Sequence, residues 1–359
     1  MPVARVMHKK ILLVGVFSSS ASVYCYADSF GPALSRLGFD VSMFHYRRSF
    51  LPFISDAQAL RWPFLYMNKK MCNQALLRIV RQFRPDIVFV IKGELITAKT
   101  LHTIKYQYGS RLIHFYPDDP FALWNGNSNK EVLASLPLCH HVLTWSHDLV
   151  NKLQRHGCSD VSYFPFAFDQ DLFNQDVTIT PEDRKKYTCD ICFVGTWEPD
   201  REQWIHKLLE RMPQVLLFIW GNDWDNNCQS SLVRLCLKGP ALYGLEMIKL
   251  FRCSTIVLNF LRKQNELSHN MRSFEIPASR AFQLAQRSHE HGSLLFQERE
   301  TIVCFDSLDE LQSMIAHFLT AHEEREKLIT QGFSHVQNYG LTSQLSSTLS
   351  KLNVLSSHG

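Results

Sequence analysis

The sequence predicts an α/β protein made of two Rossmann-like, doubly wound halves facing a cleft. Three observations predict this. Short apolar, β-rich runs alternate with helical stretches through the first half; a polar, charged break follows; the same alternation then restarts. Buried parallel strands read as continuous apolar runs, because helices cover both faces of such a sheet. At 359 residues, and roughly 150 per domain, the chain has room for two cores.

The elements follow in order. "KILLVGVF" is the first strand, followed by a helix near Tyr24–Leu37, "FDVSMF", a helix near Lys69–Phe83 and "DIVFVI". A helix near Ala98–Tyr108 leads to "RLIHFY", then "HVLTW", a helix near Asp148–His156 and "DVSYFPFAF". The stretch "NQDVTITPEDRKKYT" carries Pro181, is charged and lacks apolar periodicity, so it serves as the break. Beyond it come "DICFVG", a helix over Arg201–Arg211, "VLLFIWG", a helix near Tyr243–Phe251, "STIVLNF", a short helix opening at Asn270, "AFQLA", "TIVCF" and two helices from Leu308 to about Asn338. The expected domains are 1–175 and 188–340, with 341–359 as a tail or helix.

Composition narrows the function classes. Hydrophobic residues at 45% and charged residues at 20% describe an ordinary globular protein rather than a disordered chain. A formal charge of +4, with basic residues scattered apart from "YRR" at 46–48 and "RKK" at 184–186, does not suggest a dedicated nucleic-acid binder. The opening "MPVARVMHKKILLVGVF" has the outline of a secretory signal, but its apolar run is short and reads as a buried strand. No other apolar stretch approaches the roughly 20 residues of a membrane span. Ten irregularly spaced cysteines read as reduced, buried, cytosolic thiols. Cys189 and Cys192 lie in an extended run that points them to opposite faces, and no second pair follows at zinc-site spacing, so no metal role is expected. The "HH" at 140–141 and "HEH" at 289–291 lack a third ligand and read as surface or packing histidines.

Ligands of parallel sheets bind beyond the carboxyl ends of the strands, which directs attention to the loops at Gly15, Tyr116–Asp119, Ser146, Gly195 and Gly221. "FVGTWEPDRE" puts Gly195 just past a strand and Arg201 in the next helix. A close-approaching backbone, unpaired N–H groups and a two-pronged cation outline a diphosphate site. "HFYPDDPFALW" sets Asp118 and Asp119 between prolines, either as turn residues or as acceptors of sugar hydroxyls, with a base role also open. The D-x-D strings at 169–171 and 223–225 read as turn chemistry. Trp220 and Trp224 could stack on a base or pack in the core. In "NMRSFEIPASRAFQLA", Glu275 falls about 40° from Met271, on the inner edge of the helix's apolar arc. Its partner is either Arg272 one turn earlier or a ligand hydroxyl.

These strings resemble a known family. "HHVLTWSHDLVNKLQRHGCSDVSYFPFAFDQDLF" resembles the end of the amino-terminal domain of GT-B glycosyltransferases. "DICFVGTWEPDRE", "LNF" at 258–260, "NMRSFEIPASRAF" and "IVCFDSLDEL" resemble the carboxyl-terminal domain of the spore-maturation CgeB-like branch, from the retaining group. The resemblance implies transfer of a sugar from a nucleotide diphosphate sugar, a co-substrate held without a tightly bound metal or cofactor. It implies donor-side residues Gly195, Arg201, Asn259, Asn270, Arg272, Glu275 and Arg280, with Glu275 accepting hydrogen bonds from the ribose. Acceptor-side candidates are Asp118, which falls where many relatives carry a catalytic-loop histidine, and Asp119. The acceptor would be a glycan, a lipid-linked group or a protein; nucleic acid is not expected. The location implied is cytoplasmic, with the inner face of a membrane as an alternative.

The sequence departs from the pattern in two places. Ser279–Arg280 replaces a small pair, so Arg280 would sit in a left-handed turn and either obstruct the sugar or add a phosphate contact. The first acid of an E-x7-E pattern would fall at Leu267, with Glu266 one place off. A silent sugar-nucleotide binder and a GT-B sugar-nucleotide epimerase stay open as alternatives.

Overall fold

The computed structural model describes residues 9–18, 26–48, 61–124 and 127–354. The basic stretch at 1–8 and the first two residues of the helix expected near Tyr24 lie outside them. Contacts divide the chain into two compact units: residues up to Pro165 together with those from Gln344 onward, and Phe166–Ser343. The segment 166–175 thus groups with the second unit and the final helix, Leu341–Lys351, leads back into the first. There Lys9 Nζ donates to Val354 O at 2.6 Å and Arg111 Nη1 to Leu352 O at 2.8 Å.

The first unit holds a six-stranded parallel sheet of β1 (Lys10–Gly15), β2 (Asp40–His45), β3 (Ile87–Ile91), β4 (Arg111–Tyr116), β5 (His141–Thr144) and β6 (Val161–Tyr163). Its order is β2-β1-β3-β4-β5-β6, and the central strands are buried on both faces. The apolar run at 11–17 is therefore a buried strand and the turn after it. The second unit holds β7 (Cys189–Val194), β8 (Leu217–Trp220), β9 (Leu237–Gly239), β10 (Ser254–Asn259), β11 (Gln283–Gln286) and β12 (Val303–Phe305), in the order β12-β11-β10-β7-β8-β9. Read from β9 that is 3-2-1-4-5-6, the doubly wound dinucleotide-fold order, whose direction of winding reverses between β7 and β10.

Several elements differ from the sequence reading, among them the unforeseen helices Lys130–Ser135 and Ser231–Leu235. The polar break contains a helix, Pro181–Tyr187, because Thr180 and Asp183 cap it reciprocally. β9 is a three-residue edge strand with too few apolar residues to show a period. The helix expected from Lys69 begins eight residues earlier, at Arg61.

Candidate functional site

The carboxyl ends of β7 and β10, at the reversal point, gather most of the residues singled out in the second half. Gly195 follows β7 directly. A side chain there would strike the Phe193 ring at 2.7 Å, and at Gly221 a Cβ would lie 1.9 Å from Gly195 O. These two glycines let the ends of β7 and β8 close together, with Trp224 Nε1 donating to Gly195 O at 2.8 Å. That bond and burial resolve the tryptophans: Trp224 is 2% exposed and Trp220 8%, so both belong to the packing.

Arg201, in the helix Pro199–Arg211, turns inward. Nη1 donates to Thr196 O at 2.9 Å and Nη2 to Phe260 O at 3.1 Å, while Nε is buried without a protein partner. Its guanidinium therefore ties the β7 loop to the β10 loop rather than standing open as a grip. Burial brings its pKa down to about 10, with Glu198 opposing and Arg262 and Arg272 adding, so it stays charged at neutral pH. Two half-buried arginines accompany it. Arg262 pairs with Glu198 at 2.9 Å, and Arg272 Nε donates to Val194 O at 3.3 Å.

Glu275 is 3% exposed and accepts from Arg272 Nη1. The helical pair offered as one answer for this acid is thus present, and it brings Glu275 to the arginine that reaches the end of β7. Behind it lies a buried amide and hydroxyl network. Asn270 Nδ2 donates to Asn259 Oδ1 at 2.8 Å and to Phe260 O at 3.3 Å, and Asn259 Nδ2 to Ser273 Oγ at 3.3 Å. His291 Nδ1 bonds Gln286 O at 3.0 Å; since a carbonyl only accepts, Nδ1 carries the proton and Nε2 accepts from Ser273 Oγ at 2.6 Å. Burial pushes the His291 pKa down to about 4. Similarly, His269 Nε2 accepts from Phe166 N at 3.0 Å, so its Nδ1 donates to the buried carboxylate of Glu290 at 2.8 Å, which Ser268 Oγ also serves at 2.6 Å.

The sequence missed Arg262, Ser273, Glu290 and His291. "HEH" was weighed as a metal pattern and read as surface or packing histidines; in the structure Glu290 holds Ser268 and His269, and His291 supports Asn259 and Asn270 through Ser273. Its one legible signal was a polar run, Gln286–His291, after the apolar strand "AFQLA".

Arg280 requires a correction. Its φ of 58° fits the left-handed turn, but its guanidinium stacks 3.6 Å over the Phe333 ring. It precedes β11, and neighbouring Ser279 O accepts from Arg252, which precedes β10. Both therefore lie toward the amino ends of the strands, at the opposite end from Gly195, Asn259 and Asn270. At the E-x7-E position, Leu267 is 62% exposed.

In the first unit, Asp118 follows β4 and pairs with Lys92 Nζ at 2.7 Å. Asp119 Oδ1 accepts from Phe121 N at 2.8 Å, the turn chemistry given as one of its two readings. Beside them Glu94 is buried, accepting from Tyr46 Oη at 2.5 Å and Arg47 Nε at 2.5 Å. Cys189 is buried, and the Cys189 thiol is pushed up to about 12. Asp169 caps the helix Gln170–Phe173 through Asp171 N and Leu172 N. Among the described residues no cluster of His, Cys, Asp and Glu is arranged to hold a metal ion.

The two parallel six-stranded sheets flanked by helices define the GT-B glycosyltransferase fold. Residues 201–345 match a family described as glycosyl transferase-like. The chain is similar to a sucrose-phosphate synthase from Thermosynechococcus elongatus, at TM-score 0.70 and 14% identity over 97% of this chain and 100% of that one. It is similar to an α,α-trehalose-phosphate synthase (UDP-forming) from Burkholderia vietnamiensis, at 0.68 and 11% over 97% and 99%. It also resembles Anabaena HepE, solved with UDP-glucose, at 0.61 and 12% over 97% and 100%. At these identities the likeness is one of fold. Comparison with curated proteins gives no significant match.

Proposed function

We propose that the protein is a glycosyltransferase that takes a hexose from a nucleotide diphosphate donor and passes it to an acceptor without a tightly bound metal. One observation carries this reading: Arg201, Arg262 and Arg272 converge with a buried acid, Glu275, at the reversal point of the second sheet. A concentration of guanidinium charge at strand ends suits a diphosphate. The same charge stabilises the diphosphate as it leaves, which is the service a divalent cation gives elsewhere. Arg272 and Arg262 bind the phosphates, Arg201 braces the two loops that carry them, and Gly195 keeps the β7 end open to the donor. Asn259 and Asn270 set the floor, and Glu275 accepts the ribose hydroxyls. On the first unit, Asp118 and Asp119 receive the acceptor hydroxyl, and attack on the donor's own face would retain the anomeric configuration. CgeB-like membership rests on the strings quoted above.

UDP is the first nucleotide to try, since it or its glucose conjugate is bound in the solved structures of HepE. A thermal-shift series with UDP, GDP, ADP and CDP at about 100 times the dissociation constant should give about 2.7 kcal/mol of stabilisation for the right base. Glu275→Ala should remove most of that. Mass spectrometry of products then separates the alternatives: transferred sugar supports the proposal, binding without turnover marks a silent binder, and isomerised donor marks an epimerase.

A further inference from the structure

The helix Arg61–Phe83 carries five basic residues, Arg61, Lys69, Lys70, Arg78 and Arg81, and no acid over its 23 residues. It sits in a strongly polarised chain. The first 100 residues hold fourteen Lys and Arg against five Asp and Glu, a balance of +9, while the other 259 hold 24 against 29. Such asymmetry between parts of one chain points to an anionic partner of the basic part.

The apolar side of the helix tells which kind. Cys72, Leu76 and Val80 lie on one arc and are fully buried in the first unit. At 100° per residue Leu65 continues that arc, only about 20° from Cys72, yet it is 54% exposed. Tyr66 and Met67 beside it are 66% and 46% exposed. The packing stripe therefore runs past the protein core, and its first described turn shows a leucine, a tyrosine and a methionine to the outside, next to Lys69 and Lys70. A polyanion alone would use the lysines and leave the apolar turn in water. An anionic bilayer uses both, because apolar groups enter the acyl boundary while ammonium groups stay among the headgroups. Among the described residues no helix is long and apolar enough to cross a membrane, so contact through this end would be peripheral.

We propose that the amino-terminal end of the helix Arg61–Phe83 docks the protein on an anionic membrane surface. This goes beyond the transferase reading and does not depend on it. The test is co-sedimentation of the full chain with vesicles of phosphatidylcholine, alone or with phosphatidylserine as about one quarter of the lipid. Binding to the mixed vesicles should exceed binding to the neutral ones by about tenfold or more and weaken as salt is raised. The triple variant L65S/Y66S/M67S and the charge variant K69E/K70E should each lower it by about tenfold. The altered side chains in the first are exposed, so its melting temperature and its nucleotide-induced shift should match the parent's. Equal binding by the parent and both variants would overturn the proposal, as would binding of the parent to single-stranded RNA but to neither vesicle.

Discussion

At the carboxyl edge of the first sheet acids and bases come matched, Lys92 with Asp118 and Arg47 with Glu94, while Asp119 is absorbed by its own turn. At the same edge of the second sheet three arginines share two acids: Glu198 takes Arg262, Glu275 takes Arg272, and Arg201 donates to neutral carbonyls. A closed set of pairs has little to offer a charged ligand. An edge with a cation in excess does, because a bound anion completes it. The contrast fits the proposed reaction, in which a charged donor would use the second unit and an uncharged hydroxyl the first.

Four experiments break or sharpen that contrast. The largest effect is expected at Arg201, whose removal abandons two charge-assisted bonds between strand-end loops. Arg201→Ala should cost about 3 kcal/mol or more in urea unfolding, and Lys, which lacks the fork, should not restore it. Unchanged stability with lost nucleotide binding would instead make it an open phosphate grip.

Acid is next, and it should strike both units alike. His114 in the first and His291 in the second are both held near a pKa of about 4 by burial, against an unfolded value of 6.5. The unfolded chain therefore takes up protons before the folded one. The stability from each neutral imidazole is whole above pH 6.5 and falls as pH drops toward 4. Each should cost about 2 kcal/mol by about pH 5, read as a falling melting temperature. His114→Gln and His291→Gln should each flatten part of that fall.

Arg272→Ala should weaken nucleotide diphosphate binding by about 10- to 100-fold, whereas Lys92→Ala on the first sheet should leave it unchanged in titration calorimetry. If the two variants lose binding equally, the contrast between the edges fails. The smallest effect belongs to Asp119→Ala, which gives up one turn bond and should lower stability by about 0.5–1 kcal/mol. If transfer rate falls far more than that bond explains, with nucleotide binding intact, Asp119 meets the acceptor.

Most of the architecture was legible because buried parallel strands announce themselves as apolar runs such as "KILLVG", "IVFVI" and "STIVLN", each set off by a helical period. Within the candidate site, Gly195, Asn270, Arg272 and Glu275 stood in strings short enough to carry local geometry, and the structure gathers them. Arg201 was legible as an arginine at a helix start, though the direction of its side chain was not. Arg262 and His291 gave little sign, since one earns its place by lying near Arg201 and the other through a hydroxyl 18 residues away. Arg280 shows the reverse error. Its backbone turn was read correctly from local sterics, but its end of the strand depends on which way the chain runs through the sheet.

By itself the sequence determined the periods, the turns and the chemical types, because these follow from neighbours within a few residues. Only the tertiary structure decided the partners, because hydrogen bonds and ion pairs join groups far apart in the chain, and burial sets which of them stay neutral. That is how one arginine became a brace between two loops, another a stack on Phe333, and a histidine read as surface or packing became, through Ser273, the support beneath Asn259 and Asn270.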